Sequence, residues 1–143
     1  MISGRYITRS PEETEALGAE VAGTLKSGDR VGLIGELGSG KTRFVRGIAN
    51  GLGSKGFVKS PSFTIINIYP GGRLPLYHID LYRICKEGEF YETGLEEFVY
   101  GKGISVIEWA DRLSGLKDGC TVLVSLSYKG ENEREIVIER AGN

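Results

Sequence analysis

Gly35-Glu36-Leu37-Gly38-Ser39-Gly40-Lys41-Thr42 is a complete G-x-x-x-x-G-K-[ST] string, and its reading decides the fold. Glycines at this spacing let the backbone wrap with its N–H groups turned inward, a nest for the α- and β-phosphates of a nucleotide. Lys41 has the reach to touch the β- and γ-phosphates, and the Thr42 hydroxyl is placed to ligate Mg²⁺. In a chain this rich in Gly, chance alone yields such an octet at roughly the 2% level. The flanks lower that risk. Arg30-Val31-Gly32-Leu33-Ile34 is a short apolar run that predicts a buried strand immediately before the loop. Beyond it, Phe44, Val45, Ile48, Ala49 and Leu52 recur at the spacing of an amphipathic helix. Strand, loop and helix in that order set a helix N-terminus against the phosphates.

Composition sets the frame around this loop. A chain of 143 residues is expected to form one domain spanning 1–143 and to bury roughly two-thirds of its unfolded surface. Apolar residues at 40% and charged residues at 26% are ordinary for a soluble globular protein. No apolar run approaches the roughly 20 residues of a membrane span. The first residues, Met1 to Tyr6, carry no apolar core of a secretory signal, so a cytoplasmic location is expected. Cys85 and Cys120 form no C-x-x-C and are read as buried free thiols rather than a disulfide. A net charge of −1 is less basic than expected of a protein that grips RNA mainly by itself.

Along the chain, Ser10-Pro11-Glu12-Glu13 predicts a helix start, with Ser10 as N-cap and Glu13 three residues on. Leu17, Val21, Thr24 and Leu25 continue its stripe to an end near Gly28. Residues 50–63 are Gly- and Ser-rich and loop-like. Extended stretches at 64–69 and 75–82 flank Pro70-Gly71-Gly72, which predicts an antiparallel pair. An acidic stretch over 86–99 reads as moderately helical, either a solvated face or a partner surface. Ile104–Trp109, Thr121–Ser127 and Arg134–Glu139 are further strands, the last two alternating apolar and polar. The fold class that results is α/β: a single P-loop NTPase-like three-layer domain with a mixed parallel and antiparallel sheet.

A bound nucleotide needs acidic groups for metal and water, because phosphoryl transfer rests on positioning and charge neutralisation. Ile104-Ser105-Val106-Ile107-Glu108-Trp109 is an apolar strand closing on a carboxylate, as a Walker B segment does. Glu108 is thereby placed to orient the attacking water or to hold Mg²⁺. Asp80, within Tyr77-His78-Ile79-Asp80-Leu81-Tyr82-Arg83, is a second candidate for metal or water. Strand alternation puts His78, Asp80 and Tyr82 on one face, an odd polar face for a core strand. Arg83 suits a phosphate or partner contact. His78 is the one His of the chain; it is read as orienting Asp80 rather than acting as a base. Trp109 either stacks on a base or fills the core. Ser60, Ser62 and Thr64 carry hydroxyls after a flexible segment, which fits a switch-like loop ordered by phosphate and metal or an ordinary capped turn. No N-K-x-D guanine-reading string is present, so ATP is the expected nucleotide.

Taken together and in order, Gly35–Thr42 with Arg43-Phe44, Ser60-Pro61-Ser62-Phe63-Thr64, His78-Ile79-Asp80-Leu81-Tyr82-Arg83, Gly94-Leu95-Glu96-Glu97-Phe98 and Ile107-Glu108-Trp109 resemble one family. It is the small bacterial TsaE (YjeE-type) ATPase family of tRNA threonylcarbamoyladenosine biosynthesis, matched from about residue 8 to 140. The resemblance implies an Mg²⁺-dependent P-loop ATPase that is slow alone. Its implied partners are a Kae1-like threonylcarbamoyl transferase and that enzyme's inactive paralogue, which together modify adenosine 37 of tRNAs. It implies that Glu36, Leu37, Gly38, Ser39, Gly40, Lys41, Thr42, Arg43 and Trp109 bind the nucleotide. Thr42, Glu108 and Asp80 would serve the metal, and Asp80, Glu108 and Lys41 catalysis. Ser39 stands where Ala is common in the family, and Ala110-Asp111 where Pro-Glu often follows the Trp. A small-molecule kinase and a nucleotide-gated binding module are the alternatives; the absence of a clustered Arg segment after the core weighs against the kinase.

Overall fold

The computed structural model describes residues 3–35, 39–54, 56, 58–59, 66–80, 94, 96–108 and 118–140. Glu36, Leu37, Gly38, Ser60, Ser62, Thr64, Arg83, Cys85, Trp109 and most of the acidic 86–99 stretch therefore lie outside the described residues.

β1 (Gly4–Thr8), α1 (Pro11–Ala22), β2 (Arg30–Gly35) and α2 (Lys41–Leu52) come first along the chain. β3 (Val58–Lys59), β4 (Ile66–Tyr69), β5 (Leu76–Asp80), the short α3 (Glu96–Val99), β6 (Ile104–Glu108), β7 (Val122–Tyr128) and β8 (Arg134–Arg140) follow. The strands form one sheet in the order β1-β8-β7-β2-β6-β5-β4-β3. Its centre, β7-β2-β6-β5, is parallel, and both flanks are antiparallel. The mixed sheet expected from the sequence is present. Central parallel strands are covered on both faces, which is why β6 is buried at every residue. β7 and β8 instead alternate buried and exposed positions.

One face of the sheet carries α1 and α2. Val31, Leu33, Leu76, Ile104 and Val106 pack there with Leu17, Val21, Phe44, Ile48 and Leu52 in one apolar core. The other face of β6 meets α3, where the Ser105 hydroxyl donates to the Phe98 carbonyl at 3.0 Å and Tyr77 tilts against Phe98. α1 and α2 approach closely because glycine lines their contact. A Cβ on Gly47 would stand 2.0 Å from the Glu15 carbonyl oxygen, and one on Gly18 would stand 2.4 Å from that of Phe44.

α1 begins as expected: the Ser10 hydroxyl accepts from the Glu13 N–H at 3.0 Å, while the Glu13 carboxylate accepts from the Arg9 N–H. Its end is a correction. The helix stops at Ala22 with Gly23 as cap rather than near Gly28, because the Thr24 hydroxyl turns back onto the Val21 carbonyl. Leu25 is buried all the same, from a turn instead of a helical stripe. β4 and β5 pair antiparallel across residues 70–75, as the Pro70-Gly71-Gly72 turn predicts. Among the described residues no helix is long and apolar enough to cross a membrane.

Candidate nucleotide site

The site is built where the parallel strands end. β2 finishes at Gly35, β6 at Glu108 and β5 at Asp80, and the register sets Leu33 beside Glu108 and Glu108 beside Asp80. Ligands of open α/β sheets gather at such carboxyl ends. Gly40 starts α2 at φ 104°, a left-handed conformation that favours Gly, and among the described residues no side chain caps the helix. Its first amides are thus left for an anion.

Lys41 is buried, and its ammonium donates to the Gly35 carbonyl at 2.8 Å. It also stands 3.8 Å from Glu108 Oε1. Glu108 Oε2 accepts from His78 Nε2 at 2.5 Å. Burial pushes the Glu108 carboxyl up, but the His78 hydrogen bond and the neighbouring charges of His78 and Lys41 outweigh it. The group is held below its ordinary value and stays ionised near neutral pH. His78 therefore contacts Glu108, not Asp80 as read from strand alternation. The parallel pairing of β5 with β6 brings that cross-strand carboxylate within reach. Asp80 lies at the same level of the sheet, one strand further out.

A cleft of about 310 Å³ opens above these groups. Gly40, Lys41, Thr42, Arg43 and Glu108 line it, and so does a second group, Ser10, Pro11, Thr14, Asn132 and Arg134. Thr42 and Arg43 thus reach the cleft; the Arg43 guanidinium is also 3.7 Å from Glu15 on α1. The second group was missed by sequence reasoning. The strand read over Arg134–Glu139 gave Arg134 a place, but nothing local marked it or Asn132 as a cleft residue.

The residues present fit a phosphate-bearing ligand. The Ser39 hydroxyl is fully buried and has no hydrogen-bond partner among the described residues. A Cβ at Gly35 would fall 2.6 Å from the Leu126 carbonyl and 2.8 Å from Ser39 Oγ, so only a bare backbone fits under the loop. No group of three or more His, Cys, Asp and Glu that could hold a metal ion occurs among the described residues. Mg²⁺ does not require one, since it takes one or two carboxylates and completes its shell with phosphates and water. Cys120 is buried, and burial pushes its thiol up to about 11.

Comparison with known proteins agrees with this geometry. Residues 8–136 match the family model described as threonylcarbamoyl adenosine biosynthesis protein TsaE. The chain belongs to the TsaE family. Among TsaE proteins it is 41% identical to that of Bacillus subtilis over 97% of this chain and 87% of the relative. It is likewise 41% identical to the Treponema pallidum protein, over 94% of this chain and 98% of the other. Both relatives are named tRNA threonylcarbamoyladenosine biosynthesis protein TsaE. The crystal structure of Bacillus subtilis YdiB superposes with a TM-score of 0.80 at 37% identity, covering 99% of this chain and 87% of that one.

Proposed function

We propose that this TsaE-family chain binds ATP with Mg²⁺ in the cleft at the end of β2 and hydrolyses it within tRNA threonylcarbamoyladenosine biosynthesis. Hydrolysis would drive turnover of a Kae1-like threonylcarbamoyl transferase and its inactive paralogue, with tRNA reached through that complex. The observation that carries the ATPase reading is the placement of the buried Glu108 carboxylate, at the end of β6, 3.8 Å from the Lys41 ammonium at the start of α2.

In this reading Lys41 leaves the Gly35 carbonyl for the β- and γ-phosphates, and the α2 amides with Ser39 and Gly40 cradle the β-phosphate. Thr42 and Glu108 would hold the metal, with Asp80 beside them for metal or water; when bound, Mg²⁺ would supply neutralisation of the phosphate charge. Glu108 then fixes the position of the attacking water. Asn132 and Arg134, of the second group lining the cleft, take the ribose and base. Glu36, Leu37, Gly38 and Trp109 complete the nucleotide contacts, and Ser60, Ser62 and Thr64 form the responsive loop.

The test is phosphate release from ATP by the purified chain alone and with the transferase pair. Slow release that changes several-fold on adding the pair supports the proposal. An unchanged rate removes the partner role, and a phosphorylated small molecule in place of free phosphate identifies a kinase instead.

A further inference from the structure

His78 and Glu108 are connected in a way that the nucleotide reading leaves unused. The two oxygens of the Glu108 carboxylate are not equivalent. Oε1 is the oxygen toward Lys41, at 3.8 Å, and both residues line the cleft. Oε2 points sideways into the sheet and accepts from His78 Nε2 at 2.5 Å. Both side chains are about nine-tenths buried, with 11% of each exposed. A charge-assisted hydrogen bond in such surroundings is strong and directional. The other ring nitrogen, Nδ1, is buried and has no hydrogen-bond partner among the described residues. The described contacts of the imidazole are therefore directed at Glu108. β5 and β6 supply rigid supports for both, since His78 sits beside Val106 and Asp80 beside Glu108 in a parallel ladder.

We propose that His78 is a positioning residue that pins Glu108 Oε2 and so presents Oε1 to the cleft as the ligating oxygen. The proposal rests on Glu108 serving the metal-bound nucleotide. When Lys41 turns to the phosphates, Oε1 loses its neighbour while Oε2 keeps His78. The carboxylate is then held in one rotamer through the exchange and does not swing or bind through both oxygens. Ligating side chains held by a second hydrogen-bonded group lose affinity or activity when that group is removed.

Because His78 is the only His in the chain, its imidazole nitrogens can be observed without interference. ¹⁵N NMR is expected to show a protonated Nε2 whose proton resonates well downfield and moves back toward the ordinary range in Glu108→Gln. A non-protonated Nε2, or a signal indifferent to Glu108→Gln, overturns the pinning. The second readout is ATP affinity without and with Mg²⁺. His78→Ala should shrink the Mg²⁺-dependent gain at least fivefold while leaving the metal-free Kd within twofold. His78→Gln, whose Nε2 amide donates from the same end of the side chain, should restore it. Equal losses with and without metal, or no rescue by Gln, overturn the proposal as a merely structural role would. A wild-type chain that binds ATP no better with Mg²⁺ overturns both this inference and the metal-site reading. A normal Mg²⁺ effect without hydrolysis sinks the ATPase reading alone.

Discussion

Lys41 Nζ lies 3.8 Å from Glu108 Oε1, tying the first residue of α2 to the last residue of β6. Strand pairing produces the contact: β2 and β6 are parallel neighbours, and Leu33, two residues before the end of β2, stands opposite Glu108. The ammonium faces a carboxylate and the Gly35 carbonyl. Phosphate oxygens would replace both.

That exchange makes Lys41 the anchor of nucleotide affinity. Hydrogen bonds to charged groups contribute about 1.5–3 kcal/mol each, and Lys41 would make one or two to phosphate. Lys41→Ala is expected to raise the Kd for ATP about 100-fold in isothermal titration calorimetry. A Kd within threefold of wild type would remove Lys41 from the site.

The second group of cleft residues gives a prediction specific to the nucleoside. Asn132→Ala and Arg134→Ala should each weaken ATP about 5–20-fold, in line with the loss of one polar contact. Neither should change the affinity for inorganic triphosphate, which lacks ribose and base. Parallel titrations of the two ligands check it, and equal losses for both would place these residues at the phosphates.

How much of this was legible in the sequence depends on how local each signal is. β2, the loop and α2 could be read directly, since a Gly string, an apolar run and a helical stripe lie within 23 residues, Arg30 to Leu52. Glu108 was legible for the same reason, as the carboxylate closing a largely apolar strand. The partner of His78 was not: alternation gives the face a side chain takes but not which strand lies next to it. The order β1-β8-β7-β2 is equally non-local, so Asn132 and Arg134 could not be connected with Lys41. The end of α1 was misjudged because Leu25 keeps the helical period while it packs from a turn.

The α1–α2 contact predicts a stability effect without a binding effect. With a Cβ 2.0 Å from the Glu15 carbonyl oxygen, Gly47→Ala must push the helices apart. Overpacking of this kind costs about 1–3 kcal/mol, to be seen as a lower urea midpoint. ATP affinity should stay within threefold. An unchanged midpoint would mean that the crossing is looser than described.

At the opposite end of the sheet, Asp29 predicts acid behaviour. Its carboxylate accepts from the Lys26 N–H at 2.8 Å, from Arg140 at 3.0 and 3.1 Å, and from the Thr121 hydroxyl at 2.9 Å. Burial pushes its pKa up, but these hydrogen bonds and the Arg140 charge outweigh it and hold the group below its ordinary 3.8. A folded pKa below the unfolded one stabilises the fold above the unfolded value, and that stability is lost as pH falls through the folded one. Asp29→Asn should therefore cost about 2 kcal/mol at neutral pH, with the gap to wild type closing below about pH 4. Urea titrations at pH 7 and 3 measure it; a gap that stays constant would contradict the assignment.

The central claim is that Glu108 acts on water and metal at a bound nucleotide, and Glu108→Gln tests it most directly. Phosphate release at saturating Mg²⁺ and ATP should fall about 10²–10³-fold, since the amide keeps the shape but cannot serve as a base or an anionic ligand. Metal-free ATP affinity, measured on the same sample, should stay within a few-fold. Release at the wild-type rate by Glu108→Gln, with ATP still bound, would contradict the account.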